Sequence, residues 1–162
     1  MNKDHELDRI DKQILSILMK DANSTYAEIA SQLEVSGGTI HVRMKKLEQI
    51  GVIKAMHLIA DHTKLGFEIK AFVGVNFSEG ANYKHIIEAL RKIPEVTVVN
   101  LTTGRFSGII QLICKNNTHL KNNLNRKIID IKGISNTETL ISLDEGLSRQ
   151  IDVIEIEKNK DY

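Results

Sequence analysis

Cysteine and proline are nearly absent from this chain, and each scarcity limits the possible folds. The 162 residues include one cysteine and one proline. A single thiol can neither close an intrachain disulfide nor build a zinc cluster, and Cys114 lies in the apolar run SGIIQLICK, where we expect a small buried hydrophobic residue. Because proline cannot continue a helix, Pro94 predicts the end of the helical pattern before it.

Long apolar runs and an excess of one charge are also missing. The first residues, MNKDHELDRIDK, are polar, and no apolar run approaches the roughly 18 residues that suggest a membrane span. The sequence therefore predicts a cytoplasmic protein without a secretory signal or membrane contact. With 22 basic and 21 acidic residues the net charge is +1, so any case for nucleic-acid binding must rest on a local cluster of cations.

Cofactor and catalytic motifs are missing as well. The sequence contains no G-x-G-x-x-G that opens a helix, no C-x-x-C, no H-E-x-x-H and no G-x-S-x-G elbow. Its six histidines are scattered without the spacing of metal ligands. We therefore expect no cofactor, no metal site and no enzymatic activity. An acid–base pair needs no motif, so an enzyme that uses an amino acid stays open as an alternative.

The hydrophobic period changes near residue 60 and predicts an α+β protein of two domains. Before the change, apolar residues at steps of three and four predict helices over 7–20, 26–33 and 37–50. Thr25 and Ser36 are the expected N-caps of the second and third helices, Thr25 in a capping box with Glu28, and Gly51 is expected to follow the third. The next segment, VIKAMHLIAD, is interpreted as a strand or a wing.

The second half of the chain follows a different order of elements. Strands are predicted over 68–77, 96–104, 106–115 and 135–143, and helices over 82–93 and 117–131. This β-α-β-β-α-β order is that of a ferredoxin-like unit. The predicted domains are 1–60 and 67–162 with a hinge at 61–66, and IDVIEI in the tail is a candidate edge strand.

The first three helices have the spacing of a helix-turn-helix. The second and third helices are joined by a short turn, and Ala30 is the small residue that such a crossing requires. The third helix would then be the recognition helix, which enters the major groove of DNA. At 100° per residue, Val42 falls among the cations Lys45 and Lys46, on the side opposite the apolar face. A duplex suits this mixture because it offers both thymine methyl groups and phosphates.

The candidate DNA-binding residues all lie at the start of this helix or on its outer side. They are Ser36, Gly37, Gly38, Thr39, His41, Val42, Arg43, Lys45 and Lys46. From Ser36 to Lys54 the sequence has four cations and one anion, a local excess of +3. Amphipathic helices with a basic side also occur in proteins that never contact DNA, so spacing alone does not decide between the two interpretations.

The segment LTTGRFSG joins two predicted strands and is the most informative part of the second half. It brings hydroxyl groups, a glycine and exposed amides to one corner, next to an aromatic residue. These groups suit a small zwitterion, which needs N–H donors for its carboxylate and oxygens for its ammonium group. A plain hairpin turn explains the same residues equally well.

One long stretch and three short motifs carry a resemblance to a known family. The stretch is LDRIDKQILSILMKDANSTYAEIASQLEVSGGTIHVRMKKLEQIGVI, and the motifs are GTIHVR, TTGRFS and TETLI. They resemble the Lrp/AsnC family of bacterial and archaeal transcription regulators, and the short motifs are closest to its AsnC branch. The resemblance covers nearly the whole chain. It implies a winged helix-turn-helix domain joined to a ferredoxin-like (RAM, ACT-like) effector domain.

The resemblance also implies the partners and the effector site. The partners would be double-stranded DNA with a palindromic operator, a small amino acid (asparagine first) and further copies of the chain, as homodimers that assemble into octamers. The effector would lie next to the hairpin at the junction between dimers. The candidate effector-binding residues are Thr103, Gly104, Phe106, Ser107, Thr137 and Thr139.

Three positions depart from the family pattern. Glu34 stands where a glycine is frequent in the turn, which predicts some backbone strain. Gly37 replaces a frequent proline at the first helical turn, and Ser107 replaces a frequent aspartate, as it does in the AsnC branch. A nucleoid-packing protein that binds DNA without sequence preference is the remaining alternative function.

Overall fold

The computed structural model describes residues 6–158 and begins with three helices. They are α1 (Arg9–Lys20), α2 (Tyr26–Gln32) and α3 (Gly37–Gln49), within two residues of the predicted limits. Thr25 forms the predicted capping box with Glu28, and Ser36 caps α3 by accepting a hydrogen bond from a backbone N–H. Asp8 and Asp11 form a further capping box at the start of α1, which the sequence analysis did not identify.

Two positive φ angles mark the ends of α2 and α3. Gly51, with φ of 74°, follows α3 as predicted. Glu34, with φ of 54°, lies in the turn between α2 and α3 and is the one non-glycine residue with positive φ among residues 6–158. This left-handed conformation is unfavourable for a residue with a Cβ atom. The predicted strain at Glu34 is therefore confirmed.

The three helices enclose a small apolar core. Its buried residues are Ile14, Leu15, Ile29, Ala30, Ile40, Met44 and Leu47. Ala30 is buried, as expected of the small residue of a helix-turn-helix. No strand forms at 52–61 within the described chain, so the strand interpretation of this segment is wrong. A strand is stabilised by hydrogen bonds to a neighbouring strand, and none of the strand pairings among residues 6–158 includes this segment.

A four-stranded antiparallel sheet forms the second unit. The strands are β1 (Ile69–Phe77), β2 (Val96–Leu101), β3 (Gly108–Cys114) and β4 (Ile134–Ile141). Their order in the sheet is β2-β3-β1-β4, which is the ferredoxin-like arrangement. The predicted fold class is confirmed. The helices are α4 (Tyr83–Arg91) and α5 (Asn117–Asn123), and α5 continues as a π-helical turn, Leu124–Ile128.

The helices of this unit pack against one face of the sheet. Val73, Val75 and Ile110 from the strands are fully buried with Ile86 and Leu90 from α4. Cys114 is buried in the same core, as the sequence predicted. The alternate positions of β1, β3 and β4 point to the other face, and the core that the sheet shares with the helices of this unit includes none of them.

The tail of the chain forms a helix, α6 (Val153–Lys158), and not the predicted edge strand. Asp152 caps it by accepting N–H groups from Ile154 and Glu155, and its carboxylate lies 2.8 Å from Lys20 of α1. A run as short as IDVIEI does not distinguish a helix from a strand by its period. Val153 packs on the core of the first three helices.

The described chain therefore divides into two compact units. Residues 6–58 and 147–158 form the first, and residues 59–146 form the second. This grouping differs from the predicted domain limits at the tail, which the sequence pattern places with the second domain. Among the helices of residues 6–158, none combines the length and the apolar character that a membrane span requires.

Candidate nucleic-acid interface and effector loop

Helix α3 has one buried and one exposed side, as its sequence predicts. Ile40, Met44 and Leu47 are at most 1% exposed, because they face α1 and α2 in the core. Val42 is 67% exposed on the other side, next to the exposed side chain of Lys45. Other apolar side chains of the chain are equally exposed, so the feature specific to this side of α3 is the combination of Val42 with cationic and polar neighbours.

The start of α3 leaves its first amides open. The Ser36 Oγ accepts the N–H of Thr39 at 3.1 Å and lies 2.8 Å from the Thr39 Oγ1. A Cβ atom added to Gly37 would meet nothing within 4 Å, and one added to Gly38 would meet only the Ser36 hydroxyl at 3.7 Å. Packing within the described protein therefore does not require glycine at either position. A helix N-terminus with open N–H groups favours an anion.

Two of the predicted DNA-binding cations make ion pairs inside the first unit. The Arg43 Nη1 donates to Asp8 at 2.6 Å and to Asp11 at 2.7 Å, and the Lys46 Nζ donates to Asp11 at 2.9 Å. The Asp11 side chain is fully buried, whereas that of Asp8 is 51% exposed. Because both carboxylates offset the cations, the local excess of +3 falls to +1.

The cations hold the buried carboxylate in its charged form. Burial raises the pKa of Asp11, but hydrogen bonds from Lys46 and Arg43 outweigh it and leave the pKa below its usual value of 3.8. A backbone hydrogen bond from Asp11 and the Arg43 side chain lower the pKa of Asp8. The sequence analysis missed both aspartates; the available signal was an N-cap residue type, Asp8, with a second acidic residue three positions later at the start of a helix.

The loop of residues 102–107, which contains four of the predicted effector-binding residues and is named the effector loop after that prediction, lies between β2 and β3 and is attached to β1. The Ser107 N–H donates to the Val75 carbonyl at 2.9 Å, and the Ser107 Oγ accepts the Phe77 N–H at 3.1 Å. The Thr102 hydroxyl donates to the Phe106 carbonyl at 2.8 Å. Gly104 has φ of 107°, a conformation that needs glycine. The hydroxyl of Ser107 thus already has a structural partner.

The aromatic residue of the loop lies directly over a glycine of β1. A Cβ atom on Gly74 would come within 2.7 Å of the Phe106 ring, so only glycine fits beneath it. The Arg105 guanidinium lies 5.2 Å from the centre of this ring and forms an ion pair with Glu138 of β4. Neither Gly74 nor Glu138 was a candidate from sequence.

Within one protomer, the predicted effector residues lie on two faces of the sheet. Thr137 pairs with Val75 and Thr139 with Val73, and both valines face the helices. Phe106 lies on the opposite face with Gly74, whose partner is Glu138. The two threonines therefore share a face, as predicted, but do not join Phe106 in one pocket of a single chain. Thr103 and Gly104 are exposed at the tip of the loop.

Comparisons with known proteins agree with this arrangement. Residues 7–54 match the profile of winged helix-turn-helix DNA-binding domains, and residues 70–150 match that of the Lrp/AsnC ligand binding domain. The regulatory protein AsnC of Haemophilus influenzae is 38% identical over 147 residues, which cover 91% of this chain and 98% of that protein.

Solved structures show the same architecture. That of Escherichia coli AsnC matches with a TM-score of 0.84 at 35% identity and covers 91% of this chain and 99% of its own. A transcriptional regulator of Neisseria meningitidis in complex with L-methionine matches with a TM-score of 0.85 over 89% of this chain and 94% of its own, at 19% identity, where the likeness concerns the fold alone. The chain belongs to the Lrp/AsnC family of DNA-binding transcription regulators whose second domain binds an amino-acid effector.

Proposed function

We propose that the outer side of α3 reads an operator in the major groove. The observation that carries this proposal is the 67% exposure of Val42 between polar and cationic side chains, on a helix whose opposite side is buried. In this arrangement Val42 contacts a thymine methyl group, and Thr39 and His41 reach neighbouring base edges. The open N–H groups at Gly37 and Gly38 and the ammonium group of Lys45 contact phosphates.

We further propose that two copies of the chain act together through their sheets. Phe72, Gln111 and Leu140 lie side by side on the face without helices, and Leu140 is 56% exposed. Apolar side chains on an open sheet face gain stability when a second sheet covers them. A dimer doubles the DNA contacts and fits a palindromic operator, and dimers of this family would assemble further into octamers.

The effector in this proposal is a small neutral amino acid, asparagine first, bound at the exposed tip of the effector loop. Thr103 and Gly104 offer a hydroxyl and backbone amides there, and Thr137 and Thr139 contribute from a neighbouring copy, because they face away from Phe106 in their own chain. The bound amino acid favours one assembly and so changes operator affinity. A coupling free energy of about 1–3 kcal/mol between amino-acid binding and DNA binding gives a useful switch. We place this activity in the cytoplasm, where chromosomal DNA is available.

A competition experiment tests the DNA-binding part. A labelled 24-base-pair duplex selected by the protein from a randomised library is titrated against an excess of random duplex, with wild type and Val42→Ala. Specific binding of wild type survives the competitor, and the variant loses about 1–3 kcal/mol of preference for the selected duplex. If random duplex displaces the labelled duplex from wild type as well as the selected duplex does, the result favours the nucleoid-packing alternative.

A thermal-shift screen of the twenty amino acids tests the effector part. A ligand of the folded state at about 100 times its Kd adds about 2.7 kcal/mol to the free energy of unfolding and raises Tm. We expect the largest increase with asparagine or another small neutral amino acid, and a smaller one in the Thr103→Ala variant. A screen in which no amino acid raises Tm contradicts the proposal.

A further inference from the structure

We propose that Asp8, Asp11, Arg43 and Lys46 form a positioning clamp, which sets the recognition helix against α1 so that Val42 and Lys45 face the duplex. The inference rests on the proposed function of α3. It separates the cations of this helix into two kinds. Lys45 contacts DNA phosphate, whereas Arg43 and Lys46 act through the two aspartates and position the helix.

The clamp joins parts of the chain that are far apart in sequence. Asp8 is the N-cap of α1 and Asp11 lies in its first turn, and the cations lie 32 to 35 residues later in α3. All three bonds between them are 2.6–2.9 Å long. Charge-assisted hydrogen bonds of this length are directional, so they define both the distance and the rotation of α3 relative to α1.

Burial makes it costly to release the cations to DNA. The Asp11 side chain has no exposed surface, and its two oxygens accept hydrogen bonds from Arg43 and Lys46. If both cations turned to phosphates, the Asp11 carboxylate would stay buried without a charged partner, which costs more than an exposed ion pair returns. Arg43 is itself only 23% exposed in its side chain. The cheaper state keeps the clamp closed when DNA is bound.

The clamp is also part of the cap of α1. The Asp8 Oδ1 accepts the Asp11 N–H at 2.9 Å, and its Oδ2 accepts Arg43. The Asp11 Oδ2 receives the Asp8 N–H at 3.3 Å together with Lys46. Each carboxylate therefore connects the first turn of α1 to the middle of α3. Loss of one carboxylate loosens both the helix start and the orientation of the recognition helix.

Lys45 provides a matched control one residue from Lys46. It carries the same charge on the same helix and is exposed, and it forms no ion pair with any residue between 6 and 158. The logarithm of the DNA-binding constant falls linearly with the logarithm of the salt concentration. Removal of one phosphate contact makes this fall less steep, by about 0.9 in slope for each protomer on the duplex. A positioning residue leaves this slope unchanged, because it changes geometry and not the number of released counterions.

The experiment compares Lys45→Gln, Lys46→Gln and Arg43→Gln on the selected 24-base-pair duplex and on random duplex, from 50 to 300 mM KCl at 10 °C. We expect Lys45→Gln to lower the salt slope by about 0.9 per protomer and to retain the specificity ratio. Arg43→Gln and Lys46→Gln should keep the slope, lower the specificity ratio about tenfold, and lower Tm by roughly 5–10 °C. Arg43→Lys, which keeps a donor, should recover part of both losses.

Three results would overturn the clamp. One is a slope that falls with Arg43→Gln or Lys46→Gln as much as with Lys45→Gln. Another is a lower Tm with an unchanged specificity ratio, which indicates a merely structural role. The third comes from Asp8→Asn, which keeps the buried Asp11 and should fold even if Arg43→Gln does not. An unchanged specificity ratio in this variant would show that Asp8 does not orient α3. Binding of wild type to the selected duplex is measured first: its absence would refute the proposed function, and the clamp as a device for DNA recognition with it, whereas the three results above refute the clamp alone.

Discussion

The recognition helix and the effector loop are held in place by different kinds of interaction. Helix α3 packs on α1 through the apolar core, and ion pairs with the fully buried Asp11 at their centre further set its orientation. The loop is attached to the sheet by backbone hydrogen bonds and by the fit of Phe106 over Gly74. Buried ion pairs distinguish the first arrangement, and a close steric fit distinguishes the second, where the Arg105–Glu138 ion pair is exposed. Substitutions should therefore affect the two regions through different variables.

The largest effect is expected from a comparison of two paired carboxylates. Asp11→Ala leaves Arg43 and Lys46 without their buried partner and should cost about 3 kcal/mol of unfolding free energy. Glu138→Ala removes an exposed pair with Arg105 and should cost less than about 1 kcal/mol. Urea unfolding of both variants measures the difference. Equal costs would mean that burial does not distinguish the two sites.

A somewhat smaller effect is expected at the glycine beneath Phe106. Gly74→Ala places a methyl group 2.7 Å from the ring, so the ring must move, at a cost of about 1–3 kcal/mol. Gly146→Ala is the control, because a Cβ there meets nothing within 4 Å. We expect Gly74→Ala to weaken amino-acid binding measured by calorimetry, while DNA binding without effector stays unchanged. Unaltered effector affinity would separate Phe106 from the binding site.

The pH dependence of stability should also differ between wild type and Asp11→Asn. Since the pKa of Asp11 is lower in the folded state than its usual 3.8, the ionised carboxylate stabilises the fold above pH 3.8. This stabilisation is lost as pH falls below 3.8 through the lowered pKa. The free energy of unfolding of wild type should therefore exceed that of Asp11→Asn by less at pH 3 than at pH 7, as measured by urea unfolding. A difference that is independent of pH would contradict the ionised state of Asp11.

The smallest effect on stability is expected at the start of α3, and it has the opposite sign. Gly37→Ala adds a helix-favouring residue in open space and should stabilise the protein by about 0.5–1 kcal/mol. The same methyl group should weaken binding to the selected duplex, because it blocks close approach to phosphate. Thermal unfolding and fluorescence anisotropy measure the two effects. A variant that is more stable and binds equally well would exclude the glycine from the interface.

Local patterns in the sequence predicted much of the fold. The periods placed the three helices and the four strands within a few residues, and Thr25, Ser36 and Gly51 were correctly assigned from residue type. The exposed position of Val42 also followed from 100° per residue. These features depend on neighbours three or four residues away, so a short stretch of sequence contains the information they need.

The pattern was insufficient where the partner of a residue is distant or the segment is short. The strand predicted at 52–61 does not form among the described residues. The predicted edge strand IDVIEI, residues 151–156, instead leads into helix α6. The pairing of β4 with β1 placed Thr137 and Thr139 on the face opposite Phe106. Periodicity assigns residues to the two faces of each strand separately, but the pairing of strands decides which faces coincide.

The amino-acid order by itself determined most of the elements, the caps of α2 and α3, and the family to which the chain belongs. Only the tertiary structure decided which cations of α3 are free. Arg43, Lys45 and Lys46 look equivalent in sequence, yet the packing of α1 against α3 brings Asp8 and Asp11 to two of them and leaves the third exposed. The physical reason is that an ion pair depends on distance and burial, and these are set by the fold.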